Sequence, residues 1–473
     1  MNRFAREALC VTLGASAFPI LGASARAQDA EEIKLRFDVF NERLKAVEDK
    51  QGASDSLRTY WKDGLRLTSP DNKFDLKIGG RIHFESEFND ADDDLEATKR
   101  FNGNANDQAV TQNIGPLEDG FELRRARLHL SGLVYEHIEF KWQYDFAKGT
   151  VGHKDVFVGL VNLGDWIPNV RAGHMYEPFG LDTMTSSNDS TFVERSSIAN
   201  FFAPNRNPGF LFWKGLKSEV DGKQVERLTW AAGAFREDSS DNSVSANDGA
   251  FNVTARITGT PLYRNDGKQL LHLGVAATRR SVGGRGNEGV TYAAKPEVDL
   301  FGNFVTTGAM READVDWRYG GEAALVWNRW SLQSEYIWTK TDMNSSSTLD
   351  DPSFSGFYVQ GSWMITGENR RYKPTEAVFQ NPKPWANAFE NGGHGAWEVA
   401  LRWSTIDLSD GTEASGGVEG GALDMMTLGL NWYLNPNTRV MWDLSRVDLD
   451  EVDPLLGEGG AATVAQMRVQ LAF

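Results

Sequence analysis

From Phe74 onward the chain alternates apolar and polar residues with a period of two, the mark of a strand with a different environment on each face. Between Lys73 and Phe88, one face carries Phe74, Leu76, Ile78, Ile82, Phe84 and Phe88, and the other carries Lys77, Arg81, His83, Glu85 and Glu87. The same split sets Ile138, Phe140, Trp142, Tyr144 and Phe146 against Glu139, Lys141, Gln143 and Asp145. It sets Trp397, Val399, Leu401 and Trp403 against Glu398, Arg402 and Ser404. Further strands are predicted over Phe251–Thr260, Leu271–Arg280, Trp330–Thr339, Phe357–Ile365, Met426–Leu434, Arg439–Val447 and Thr463–Phe473. Their length, about ten residues, suits a tilted strand that crosses a bilayer.

A soluble sandwich also alternates, so the choice rests on other features. Trp330, Tyr336, Trp338, Trp363, Trp397, Trp403, Trp432 and Trp442 fall at strand ends or on the apolar face, where a membrane barrel needs its aromatic girdles. Linkers alternate between short turns, such as Asn435-Pro436-Asn437, and long polar loops, such as Asp90 to Asp119 and Asp342 to Asp351. The last strand keeps Thr463, Ala465, Met467, Val469, Leu471 and Phe473 on one face. The stretch from Phe74 to Phe473 has room for about 14 to 18 strands, an even number by rule. A barrel of that size is expected to enclose a water-filled channel rather than a packed core.

The residues before Phe74 follow other rhythms. Met1 to Ala27 places Arg3 and Arg6 ahead of an apolar run and ends on Ala25-Arg26-Ala27, the pattern of a cleaved export signal, with a mature start at Gln28. Ile33, Phe37, Phe40, Leu44 and Val47 are spaced 4, 3, 4, 3, which predicts a short coiled coil or an amphipathic helix. The expected organisation is a signal over 1–27, a periplasmic helix over 28–52 and one barrel domain over 53–473.

Composition adds three constraints. The net charge is −17, and becomes about −19 once the signal is removed, with 46 Lys+Arg against 65 Asp+Glu; nucleic acid is not an expected partner. The only cysteine, Cys10, lies in the signal, so no disulfide can brace the mature chain. Mean hydropathy is −0.44, which in a barrel reports only that lipid-facing and lumen-facing residues average out.

No nucleophile elbow, H-E-x-x-H, paired cysteine or Walker loop is present, and the seven histidines lack ligand spacing. Gly284 to Gly289 fits G-x-G-x-x-G but precedes no helix pattern and reads as a loop. An enzyme, a metal site and a cofactor are therefore not expected. Arginine on the water-facing side stands out in so acidic a chain. By alternation Arg81, Arg125, Arg127, Arg256, Arg280, Arg402, Arg439 and Arg468 point inward, with Lys77 and Lys141. They could bind anions through paired guanidinium donors, or they could pair with lumen carboxylates such as Glu85, Glu139 and Glu398. Arg124 points outward unless a bulge intervenes; Phe121 and Leu123 share the parity of Arg125, which favours one.

Several stretches together resemble the phosphate-selective porin O and P family. They are Phe121 to Leu128 (FELRRARL), Gly173 to Gly180 (GHMYEPFG), Ser186-Ser187, Phe192-Val193-Glu194-Arg195 and Phe202 to Gly209 (FAPNRNPG). They continue with Gly356 to Val359, Thr366-Gly367-Glu368, Gly395 to Glu398 and Gly429 to Pro436, over nearly the whole mature chain. The resemblance implies an all-β, sixteen-stranded antiparallel transmembrane barrel, usually a homotrimer in the outer membrane of a Gram-negative bacterium. Its channel would be narrowed by infolded loops and lined by basic residues that pass phosphate or polyphosphate. Positions matching family motifs are Arg124, Arg125 and Arg127 on the wall. Arg195 and Arg206 match as well, in the segment Glu177 to Phe212, which is expected to enter the pore. Phe473 closing an alternating strand resembles the signal read by the barrel-assembly machinery. A general porin for small polar solutes stays open as a reading; a barrel enzyme or adhesin lacks converging titratable groups or a passenger domain.

Overall fold

The computed structural model describes residues 34, 36–43, 57–62, 64–101, 111–236, 251–282, 289–412, 415–450 and 459–473. Residues 1–58 with 69–71 form one compact unit, and 59–68 with 72–473 form another. In the first unit, residues 36–43 are helical with Phe37 and Phe40 exposed. The signal over 1–27 and the heptad positions Ile33, Leu44 and Val47 lie outside the described residues.

The second unit is a closed antiparallel barrel of sixteen long strands. In chain order these are β1 (Phe74–Ala91), β2 (Gly120–Val134), β3 (Ile138–Asp145), β4 (Gly152–Leu160), β5 (Asn169–Tyr176), β6 (Arg206–Val220), β7 (Lys223–Phe235) and β8 (Asn252–Arg264). They continue as β9 (Gln269–Ser281), β10 (Ala313–Trp327), β11 (Trp330–Met343), β12 (Ser353–Met364), β13 (Ala396–Asp410), β14 (Val418–Tyr433), β15 (Thr438–Leu449) and β16 (Gly460–Ala472). Each pairs with its sequence neighbours, and β16 returns to β1 with Arg468 opposite Glu85. Closure leaves no bare strand edge, the condition for backbone to lie in lipid. Beyond β16, Phe473 exchanges backbone hydrogen bonds with Gly80 at 2.8 and 3.0 Å, and the strand Leu65–Thr68 pairs with the start of β1.

The period-two pattern becomes alternation of exposure; in β12 every second residue is buried. Outside, Trp330 stacks on Trp363 and Trp397 on Trp432 near the turn end, while Tyr319 stacks on Trp338 nearer the loop end. These are the two aromatic belts.

Three connections turn into the lumen. An inner loop (177–205), bearing the short helices Leu181–Met184 and Ser197–Phe201, and a second inner loop (289–312) enter from the loop end. An inner turn (365–395) enters from the turn end, against the expectation of short turns there. The expected pore segment Glu177 to Phe212 needs correction as well. Its last part belongs to β6, where Phe210 and Phe212 are exposed on the outer wall.

The lumen is also not uniformly watery. In its loop half, Phe179, Ile198 and Phe202 of the inner loop join Tyr292, Val298, Phe304 and Met310 of the second, against Phe354, Ile406, Met425 and Val447 of the wall. At these strand ends the inward positions are themselves apolar, as at Phe354, Ile406, Met425 and Val447, and burying these side chains holds the two loops inside. Residues 283–288, most of the G-x-G-x-x-G stretch, lie outside the described residues.

Candidate permeation pathway

The turn half of the lumen is a cavity of about 980 Å³. Thirteen basic side chains line it: Arg66, Lys77, Arg81, Arg127, Lys141, Arg171, Arg195, Arg206, Arg256, Arg371, Lys373, Lys383 and Arg439. Five carboxylates face them: Asp75, Glu139, Asp155, Asp189 and Glu376. A wall so basic in a chain of net charge −17 is an arrangement of charge, not a consequence of composition.

Many of these cations are neutralised. Arg127 meets Asp145 at 2.7 Å, Arg206 and Lys141 share Asp155 at 2.7 and 2.5 Å, and Arg256 meets Glu322 at 2.7 Å. Arg171 holds Glu139 at 2.6 Å with its guanidinium over Phe157 and Trp213, 4.5 and 4.3 Å from the ring centres.

Three guanidiniums around residues 182–190 of the inner loop differ. Arg81 donates to Ser187 Oγ at 2.9 Å and Ser186 Oγ at 3.3 Å. Arg195 donates to the carbonyls of Thr185 and Asp182 at 2.6 and 2.9 Å, and Arg439 to that of Ser190 at 2.7 Å and to Gln470 Oε1 at 3.1 Å. None of the three has a carboxylate within ion-pair distance among the described residues; Asp189 offsets part of the charge of Arg81 and Arg439 through space, and Arg439 itself is fully buried. Asn381 of the inner turn closes the group, donating its backbone N–H to Asp189 at 2.8 Å and accepting from Arg439 at 3.3 Å.

Arg124 and Arg125 lie deeper. The ladder pairs Arg125 with His83 and Leu123 with Phe84, so Arg124 is the extra residue of a bulge and turns inward beside Arg125. Both reach Glu194 of the inner loop, at 2.9 and 3.3 Å, and Arg468 reaches it at 3.1 Å while meeting Glu85 at 2.6 Å. Burial alone would raise the Glu194 pKa; Arg124, Arg125 and Arg468 overcome it and hold the carboxyl well below the usual range. Asp299 of the second inner loop, also buried, is held at about 2 by Arg124 at 3.2 Å and by Lys148 and Lys295.

Sequence reasoning therefore named side chains with different surroundings. Lys77, Arg81, Arg127, Lys141, Arg195, Arg206, Arg256 and Arg439 line the turn-half cavity. Arg124, Arg125 and Arg468 clamp the inner loop, and Arg402 binds Glu297 and the Glu194 carbonyl. Arg280 faces Glu177 and Asp316. Arg66, Arg171, Arg371, Lys373 and Lys383 were missed. Arg66 precedes Phe74, where the period of two begins; Arg171 lies on β5, whose apolar face is interrupted by His174, and Arg371, Lys373 and Lys383 lie in the inner turn, which has no period.

Residues 89–473 match the family described as phosphate-selective porin O and P. The chain belongs to this family. As a porin O and P member it is an outer-membrane channel protein of a Gram-negative bacterium and not an enzyme. It is 24% identical to Porin O of Pseudomonas aeruginosa over 85% of this chain and 89% of that one. An uncharacterized protein of Caulobacter vibrioides is 26% identical over 89% and 78%. The porin fold is also that of the outer membrane channel DcaP of Acinetobacter baumannii, with a TM-score of 0.51 and 12% identity over 85% and 97% of the two chains.

Proposed function

We propose that the channel passes small anions, of the phosphate or polyphosphate class, through the basic half-lumen. The observation that carries this is the excess of basic over acidic side chains on the cavity wall, thirteen against five, with Arg81 and Arg195 bonded to neutral oxygens of the inner loop rather than to a carboxylate. Each can exchange a neutral oxygen for an anionic one, which forms the stronger hydrogen bond. Several such exchanges in series would bind an anion well enough to admit it and weakly enough to release it. The name of the matching family supports the same cargo.

The test is chloride current through planar bilayers titrated with inorganic phosphate. A saturable block indicates phosphate binding in the channel. No block at any concentration leaves a general porin for small polar solutes.

A homotrimer belongs to the same proposal. Phe84, Phe88 and Phe121 form an exposed cluster on the outer face of β1 and β2, with ring centres 6.2 and 5.8 Å apart. A phenylalanine face without the polar tips of Tyr and Trp suits burial against a neighbour. Export through residues 1–27, a periplasmic helix over 28–52, and delivery to the assembly machinery through Phe473 complete the reading.

A further inference from the structure

We propose that Glu85, Glu87 and Glu122 form a divalent-cation site of the hard, oxygen-ligated kind that Ca²⁺ occupies. Sequence gave no sign of it, because the three residues come from two strands and share no ligand spacing. Glu85 stands directly opposite Glu122 in the β1–β2 ladder, and Glu87 follows two residues on along the same face. The three offer carboxylate oxygens within 4.8 Å of one another. Like charges directly opposite on a sheet destabilise it, and buried ones do so more.

The cations nearby compensate only in part. Arg468 takes Glu85 Oε1 at 2.7 Å with Arg125 3.8 Å from the same oxygen, and Lys148 lies 3.3 Å from Glu122 Oε2. Glu87 accepts the backbone N–H of Leu300 at 3.1 Å. Glu85 Oε2 and Glu122 Oε1 are buried and have no hydrogen-bond donor among the described residues. Glu85 is fully buried, and the Glu122 side chain is 10% exposed. A fourth carboxylate, Asp299, faces Glu122 but is already held by Arg124 and Lys295, at 3.2 Å each.

Carboxylate oxygens suit a hard cation, and Ca²⁺, which accepts variable coordination geometry, is easier to seat among side chains fixed on strands than Mg²⁺, which demands a near-ideal octahedron. A bound ion would tie β1 and β2 to the second inner loop through Glu87 and Leu300. It would also add two positive charges beside the Glu194 clamp, favouring anions there.

The experiment is calorimetric titration of CaCl₂ into the purified full-length protein, refolded without lipopolysaccharide, with MgCl₂ in parallel. One saturable site per chain is expected, with Kd on the order of 10⁻⁴ to 10⁻³ M, as in extracellular calcium modules. Glu122→Gln should weaken it at least tenfold, while Asp351→Asn, at an exposed ion pair in the loop between β11 and β12, should leave it unchanged. Glu122→Gln is preferred to a change at Glu85, which would strand Arg468. A heat-sensitive electrophoretic band verifies that the variant folds, and Ca²⁺ soaked into crystals of the parent gives a second reading of the site. No saturable uptake by the parent, or equal uptake by folded Glu122→Gln, would overturn the proposal and leave a shared proton as the means of compensation.

Discussion

Arg124 meets Glu194 at 2.9 Å because β2 carries one more residue than β1 at that point. The bulge turns two consecutive arginines to one side, and together with Arg468 they fasten the inner loop to the wall. Glu194→Ala would leave these guanidiniums in a buried site without their shared carboxylate. Removing one partner of such a cluster costs about 3–5 kcal/mol. Urea unfolding should show a lower midpoint, and single channels should conduct more as the inner loop loosens. An unchanged midpoint would mean that the apolar cluster alone holds the loop.

Arg81 is a better lever on selectivity than Arg125. Its partners are hydroxyls, so Arg81→Glu removes no ion pair and should fold. The zero-current potential should move toward cation preference, and Arg81→Ala should give a smaller shift of the same sign. Arg125→Glu would instead set a third carboxylate beside Glu85 and Glu194 and is expected to lower the yield of folded barrel.

The barrel was legible because lipid imposes one rule on every strand, and Lys73 to Phe88 shows it residue by residue. The bulge was legible from the clash of parity between Leu123 and Arg125. What the period could not carry was partnership. Arg125 and Arg127 share a face and a spacing, yet one clamps a loop through Glu194 and the other faces the cavity beside Asp145. That difference comes from Glu194, about 70 residues away in sequence. The inner turn, with Arg371 and Lys373, was hidden for a related reason: it is irregular backbone whose place is set by contacts such as Asn381 with Asp189.

Acid should release the inner loops only late. A carboxyl with a depressed folded-state pKa adds stability that is present above its unfolded pKa and lost as pH falls through the folded value. Asp299 moves from 3.8 to about 2, and Glu194 lies well below its ordinary 4.5. Urea midpoints should show no loss from these two groups down to about pH 4.5, and a growing loss from about pH 4 toward 2. In Glu194→Gln that acid-dependent loss should shrink. A parent and variant with the same acid profile would show that these carboxylates do not hold the loops.

The seam where β1 meets Phe473 tests closure. A Cβ at Gly80 would lie 2.8 Å from the Arg127 carbonyl oxygen, which cannot move away without bending β2, and equally close to the Phe473 ring. Gly80→Val should cost about 1–3 kcal/mol by overpacking. It should lower the temperature at which the compact electrophoretic band converts to the unfolded one. An unchanged conversion temperature would mean that the seam has slack.

The most direct measurement of the central claim is the zero-current potential of the unmodified channel across a tenfold KCl gradient. A wall with thirteen basic and five acidic side chains should favour chloride, giving a potential whose sign reports anion preference. Added phosphate should then reduce the current. A potential of the opposite sign, in a channel that inserts and conducts normally, would contradict the account, because cations would be passing a wall whose charge should exclude them.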